Sequence, residues 1–249
     1  MKILLLLVIS FTAFADDFKV VEDKLIIAIK SDIRTEKETL RDDNRRPVST
    51  LKFMGLRDDM KVIELIPGGG WYTKLLAPIL KEKGDFSVAY GTGRIEKGLI
   101  AENKDFEHVK IIAKDAKLYR KDGAKFYSLE NADLSVKKAD MVLTFRNYHN
   151  FDFEGRKAMN DAAYKALKIG GIYGVVDHTR RHMQADDNEN RRRIDPVLAI
   201  KEIQDAGFRL VDYTDLHYRP DDELRYEVGR KTVTGNTDRF TFKFVKVKK

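Results

Sequence analysis

The 249-residue chain contains no cysteine, so disulfides, thiolate catalysis and cysteine-ligated zinc are excluded at once. It has no internal repeat, low-complexity tract or linker-like stretch, which favours one domain with an extension over an array. Charge of one sign is not concentrated. Lys and Arg number 47 against 40 Asp and Glu, a net charge of +7, yet the basic clusters Arg191-Arg192-Arg193 and Arg180-Arg181 stand beside acids. A nucleic-acid protein gathers its basic excess on one face, so nucleic acid is not an expected partner. His108, His182 and His217 lack metal-ligand spacing, and no metal is expected. Long apolar runs are confined to the start. Lys2 precedes Ile3 to Phe14, broken only by Ser10 and Thr12, and Ala13-Phe14-Ala15 has the small-residue pattern of a cleavage site. The run is shorter than the roughly 20 residues a membrane span needs. Residues 1–15 therefore read as a secretory signal peptide, and the mature chain as an exported, periplasmic protein with no membrane association after cleavage.

What the chain does have is a hydrophobic content of 43%, enough for a substantial core, and one organising stretch, Lys61 to Tyr72, KVIELIPGGGWY. Val62, Ile63, Leu65 and Ile66 make a short, β-branched apolar run. Gly68, Gly69 and Gly70 follow at once, and then Leu75, Leu76, Ile79 and Leu80 at helical spacing. Strand, glycine turn and helix build a nucleotide pocket: glycine lets backbone approach a ligand, and the helix start offers free N–H groups. Glu64 is a carboxylate inside the apolar strand.

Before this stretch, residues 16–60 form a helical extension. Lys24 to Lys30 suits helix or strand, Ile33 to Arg46 is helix-prone, and Val48 to Met54 is periodic again. Its charge run is most simply a solvated helix face; alternatively Arg41, Asp42 and Arg45 edge a pocket. After the glycine turn, strands are expected at Asp85–Tyr90, Val109–Ala113 or Phe126–Leu129, Ala139–Phe145, Ile172–Val176 and Phe208–Tyr213. Helices are expected from Asp152, with Gly170-Gly171 ending the first, and from Pro196 to Ala206 with Gly207 as its cap. Thr179–Arg193 reads as a polar loop without core signal, and Arg239–Val247 alternates as a strand with one exposed face. Alternating strands and helices imply a mostly parallel sheet covered on both sides, in one domain spanning 61–249.

In such sheets ligands sit outside the carboxyl ends of the strands. The segments leaving those ends are Pro67–Trp71, Tyr90–Gly93, Arg146–Asn150 and Asp177–Arg181, where the polar and glycine chemistry concentrates. His149 stands between Asn147 and Asn150 and suits a proton acceptor near neutral pH. Asp177 and His178 form a second acid–base pair. Trp71 and Tyr72 either stack on a ligand or pack.

The strings VIELIPGGGWYT, TFRNYHNF, ALKIGGIYGVVDH and AGFRLVDY resemble the class I S-adenosylmethionine-dependent methyltransferases, and more narrowly a group of predicted exported methyltransferases. The resemblance covers roughly residues 30–249. It implies an α/β, Rossmann-like three-layer sandwich with a seven-stranded, mostly parallel sheet whose last strand is antiparallel. It implies S-adenosylmethionine as cofactor, held by Glu64, Pro67, Gly68, Gly69, Gly70, Tyr72 and Thr92, with Asn147, His149 and Asp177 facing a small-molecule acceptor. Two departures stand out: Ile66 replaces the usual first glycine, and Tyr90-Gly91-Thr92 replaces the acid that holds the ribose. A nicotinamide fingerprint would need that acid and the G-x-G-x-x-G spacing too. The competing expectation is an exported, non-catalytic binding protein that retains the fold.

Overall fold

The structure is a computed structural model that describes residues 13–249, with side chains from Phe18 onward. The expected signal peptide, 1–15, lies outside the described residues apart from the backbone of 13–15.

The N-terminal extension is helical: α1 (Ala13–Ile29), α2 (Glu36–Thr39), α3 (Asp42–Arg45) and α4 (Pro47–Met54). Lys24–Lys30 belongs to α1 almost to its end, which settles the helix–strand ambiguity. The single helix expected over Ile33–Arg46 is instead two short ones. The chain breaks at Arg46, whose φ of 41° is left-handed, and Pro47 restarts it at a first-turn position where its missing N–H costs nothing.

The core is a seven-stranded sheet in the order β3-β2-β1-β6-β7-β9-β8. The strands are β1 (Lys61–Leu65), β2 (Asp85–Ala89), β3 (Lys110–Ile112), β6 (Ala139–Phe145), β7 (Leu167–His178), β8 (Phe208–Thr214) and β9 (Arg239–Lys246). All neighbours are parallel except that β9 runs antiparallel to both β7 and β8. The Val109–Ala113 candidate therefore lies in the main sheet. The Phe126–Leu129 candidate becomes β5 (Ser128–Glu130), paired with β4 (Lys117–Tyr119) in a separate hairpin.

The period of two along β1 sorts its side chains between layers. Val62 joins the core beneath α1, α4 and α5 (Thr73–Leu80), while Ile63 and Leu65 join the core beneath α6 (Phe153–Ala166) and α7 (Pro196–Asp205). Glu64 shares the side of Val62, facing α5 and the N-terminal extension. Asp152 caps α6 by accepting from Gly155 N at 2.7 Å, and Asp195 caps α7 by accepting from Val197 N at 2.9 Å.

Three sequence expectations are corrected. β9 has no exposed face: it is sandwiched between β7 and β8, with Arg239 to Phe242 buried, because the extension and its own loop cover the side that carries Thr241. Gly170-Gly171 does not end α6, which stops at Ala166 and passes directly into β7. The Thr179–Arg193 loop is not without core, since the Arg193 side chain is fully buried against Asp222.

The chain order in the sheet reverses between β1 and β6, whose ends lie side by side with Leu65 opposite Thr144. That reversal opens a crevice beyond the carboxyl ends of these two strands.

Candidate functional site

Each of the parallel strands β1, β2, β3 and β6 is left by a non-glycine residue in the left-handed region: Ile66 at 55°, Tyr90 at 64°, Ala113 at 51° and Arg146 at 61°. Such conformations are costly, about 1–3 kcal/mol for a strained residue, and cluster where a chain must turn sharply over a ligand site. Ile66 keeps the backbone bend that a glycine would make freely. Beyond it Gly68 (φ 60°) has nothing within 4 Å of where a Cβ would stand, and Gly69 has only Arg94 at 3.9 Å. Both leave an open concave backbone. Gly70 (φ 83°) serves packing instead, since a Cβ there would meet Leu99 at 3.1 Å and Ile95 at 3.2 Å.

This turn walls a cavity of about 450 Å³ lined also by Glu64, Arg41, Arg45, Phe145, Arg146 and Asn147. Asn147 joins the two strand ends, its amide donating to the carbonyls of Ile66 at 2.9 Å and Phe145 at 3.0 Å. Glu64 is 3% exposed and accepts from Thr73 Oγ1 at 2.7 Å. Burial pushes its carboxyl up to about 7, opposed by the Thr73 bond and the Arg45 charge. Arg45 makes no ion pair among the described residues, and its buried Nε has no partner. Burial and the nearby Arg146 lower it to about 9.

The extension is bolted across this cavity. Trp71 lies between the guanidinium groups of Arg34 (5.0 Å) and Arg45 (4.3 Å), and its Nε1 donates to Glu38 O at 2.9 Å. Lys74 pairs with Glu38 at 2.8 Å, and Tyr72 stacks on Phe145 with ring centroids 3.6 Å apart. His217, lowered to about 4 by burial, stays neutral and donates from Nε2 to Arg45 O at 3.0 Å while Nδ1 accepts from Thr241 at 2.6 Å.

A second cavity of about 230 Å³ adjoins the first through Arg41 and Arg146 and is lined by His149, His178 and Arg192. Asp177, fully buried, accepts from His149 Nδ1 at 2.5 Å, from His149 N at 2.9 Å and from His178 N at 2.6 Å. The carboxylate fixes Nδ1–H on that side, so Nε2 of the neutral ring is the lone-pair nitrogen. His178 is taken up by Thr237 at 2.9 Å, and burial with the neighbouring His149 holds it well below the usual histidine range. The loops 179–194 and 215–238 roof this cavity. They are locked by Arg193, whose guanidinium pairs with Asp222 at 2.8 and 3.0 Å and donates to Tyr226 O and Thr179 O.

The structure thus brings Glu64, Pro67, Gly68, Gly69, Tyr72 and Asn147 to the first cavity and His149 to the second. Asp177 lies beneath, partnered with His149 rather than with the His178 side chain. Gly70 faces the α5 side of the core. Thr92 is not among the lining residues of either cavity: it starts the turn Gly93–Ile95, and Arg94 from that turn reaches the cavity instead. Tyr90 has turned inward to donate to Ala132 O. Arg146 and Arg192 stand in segments the sequence marks, Arg146–Asn150 and Arg191–Arg193, but without a site role, and Arg239 is marked only as the start of a strand. A basic residue directly after a buried strand, as Arg146 is, was the available signal.

No family model and no curated protein matches the sequence. Solved structures match in shape. A SAM-dependent methyltransferase from Aquifex aeolicus is 12% identical, with a TM-score of 0.57 over 91% of this chain and 98% of that one. The chain has the class I methyltransferase fold. The glycopeptide N-methyltransferase MtfA complexed with sinefungin shares it at 12% identity and a TM-score of 0.54, over 83% of this chain and 87% of that one. So does the cyclase SpnF, at 13% identity and a TM-score of 0.57, over 82% of this chain and 81% of that one. The class I methyltransferase fold therefore carries more than one chemistry, and the site must decide.

Proposed function

We propose that the protein is an S-adenosylmethionine-dependent methyltransferase acting on a small-molecule acceptor. The observation that carries this reading is the pair of adjoining cavities beyond the strand ends, one with an open glycine cradle and the Glu64 carboxylate, the other with a His149–Asp177 pair. The amino-acid end of the cofactor fits the first. Gly68 and Gly69 leave room against the backbone, Glu64 suits an ammonium group, and the Arg45 side chain, which lines the cavity without an ion pair among the described residues, suits a carboxylate. The ribose end is differently made, because Tyr90 is turned into the core and the cavity's carboxylates are Glu38, held by Lys74, and Glu64. Ribose is left to amide and backbone groups.

When bound, the cofactor supplies an electrophilic methyl group. The chain's own residues orient and deprotonate. Asn147 holds the two strand ends in register, and the first cavity fixes the donor beside the second, where the acceptor enters. His149 Nε2 takes the proton of an acceptor O–H or N–H, and Asp177 stabilises the resulting imidazolium.

The non-catalytic reading draws on the altered ribose end. Calorimetric titration with S-adenosylmethionine, with NAD as control, separates the two. Binding of S-adenosylmethionine but not NAD supports the proposal; no binding at millimolar cofactor supports a fold retained without its chemistry.

A further inference from the structure

Arg41, Arg45 and Arg146 line the cavities and Arg239 lies near them, and none of the four is in an ion pair among the described residues, where arginine pairs involve other positions. Arg239 is 3% exposed and satisfied only by carbonyls, donating to Asn44 O at 2.9 Å and Thr237 O at 3.3 Å. Arg45 is 9% exposed with its Nε orphaned. Arg146 and Arg41 make no side-chain hydrogen bond at all among the described residues, and they line both cavities. Burial and mutual repulsion lower Arg45, Arg146 and Arg239 alike.

The local acids do not answer this charge. Asp177 is already engaged by three N–H groups, and Glu64 is pushed toward neutrality. Arg192, on the rim, is spoken for by Glu227. Cations held together without a paired acid, two of them buried (Arg45 and Arg239) and two half-buried at the cavity junction (Arg41 and Arg146), are costly unless an anion answers them. Guanidinium groups match planar or tetrahedral oxyanions through paired N–H donors. Arg146 and Arg41 stand at the junction of the cavities, and His149 lines the same second cavity. An acceptor anchored at that junction would keep its remaining atoms within a space of about 230 Å³ beside the histidine.

We infer that the methyl acceptor is a small oxyanion-bearing molecule, its carboxylate or phosphate group held by Arg146 and Arg41 beside His149. This rests on the methyltransferase reading for the word acceptor; the anion site itself does not.

The test uses the full chain and inorganic phosphate as probe, titrated calorimetrically at constant ionic strength with and without saturating S-adenosylmethionine. Saturable phosphate binding is expected in both conditions, weakened by about tenfold or more in R146Q. R41Q, on the partly exposed turn between α2 and α3, should weaken it too and guards against a misfolded R146Q. No saturable phosphate binding, or none lost in either variant, overturns the inference. Competition between phosphate and cofactor also overturns it, by assigning the arginines to the cofactor's own carboxylate. Phosphate binding in a protein that ignores the cofactor supports the anion site and overturns the methyltransferase reading.

Discussion

The two cavities share Arg41 and Arg146 but are made from different kinds of chain. The first is built around one consecutive stretch, β1, its left-handed exit at Ile66 and the glycine turn, and is closed by the N-terminal extension, Arg94 and the end of β6. The second is assembled from β6 and β7 ends and two long loops, held by one buried pair, Arg193–Asp222, far apart in sequence. Local geometry makes a place for a common ligand, while long-range ion pairing makes a place for a particular one. Basic residues line both cavities, but only the first also holds carboxylates, Glu64 and the Lys74-paired Glu38, while the second gathers Arg41, Arg146 and Arg192 around His149 and His178. The proposed reading sets the cofactor's ammonium group at Glu64 and an anionic acceptor group at the shared arginines.

That contrast can be broken by substitutions, the strongest first. His149→Ala should lower turnover by about 10²–10⁴ while cofactor affinity stays within about twofold, because the ring belongs to the second cavity. Steady-state kinetics set beside calorimetry check this, and equal loss of both would remove His149 from the proton-transfer role. Asp222→Ala leaves the fully buried Arg193 guanidinium without its partner and should cost about 3–5 kcal/mol of stability, seen in the urea midpoint. An unchanged midpoint would mean that the loops are held by something else. Behind the first cavity, Gly70→Ala forces a Cβ into Leu99 and Ile95 at a φ of 83° and should cost about 1–3 kcal/mol by thermal unfolding. Ile66→Gly should change stability least, within about 1 kcal/mol. It relieves a left-handed penalty of about 1–2 kcal/mol but gives up the packing of a partly buried side chain and adds chain entropy.

The same contrast explains what the sequence made legible. β1, its glycine turn and the buried strand β6 were readable because each is set by local periodicity or by residues with special backbone freedom, whereas the alternation of the closing strand marked a strand but not its burial between β7 and β8. His149 and Asp177 were readable as strand-end polar residues, but their pairing was not, since it depends on the register of β6 against β7. Trp71 gave no sign of whether it would meet ligand or protein; its place between Arg34 and Arg45 is a tertiary outcome. Thr92 was placed at a strand end correctly and at the cavity wrongly, because the left-handed turn at Tyr90 carries the chain past it and presents Arg94. The loop containing Arg193 looked solvated because nothing local in RRRID announces a partner 29 residues away.

Glu64 offers the most direct test. Its folded carboxyl is raised to about 7, so in the free protein it holds its proton as pH falls below that value, and its contribution to fold stability is lost as pH rises from the unfolded value toward 7. A ligand ammonium needs the ionised form and must expel the proton to bind. Cofactor affinity should therefore rise by about tenfold per pH unit between about pH 5 and 7, with proton release visible as a buffer-dependent binding enthalpy. Glu64→Gln should bind weakly and without that slope. An S-adenosylmethionine affinity that is flat over this window in the parent protein, or that keeps its slope in Glu64→Gln, would contradict the account of the first cavity.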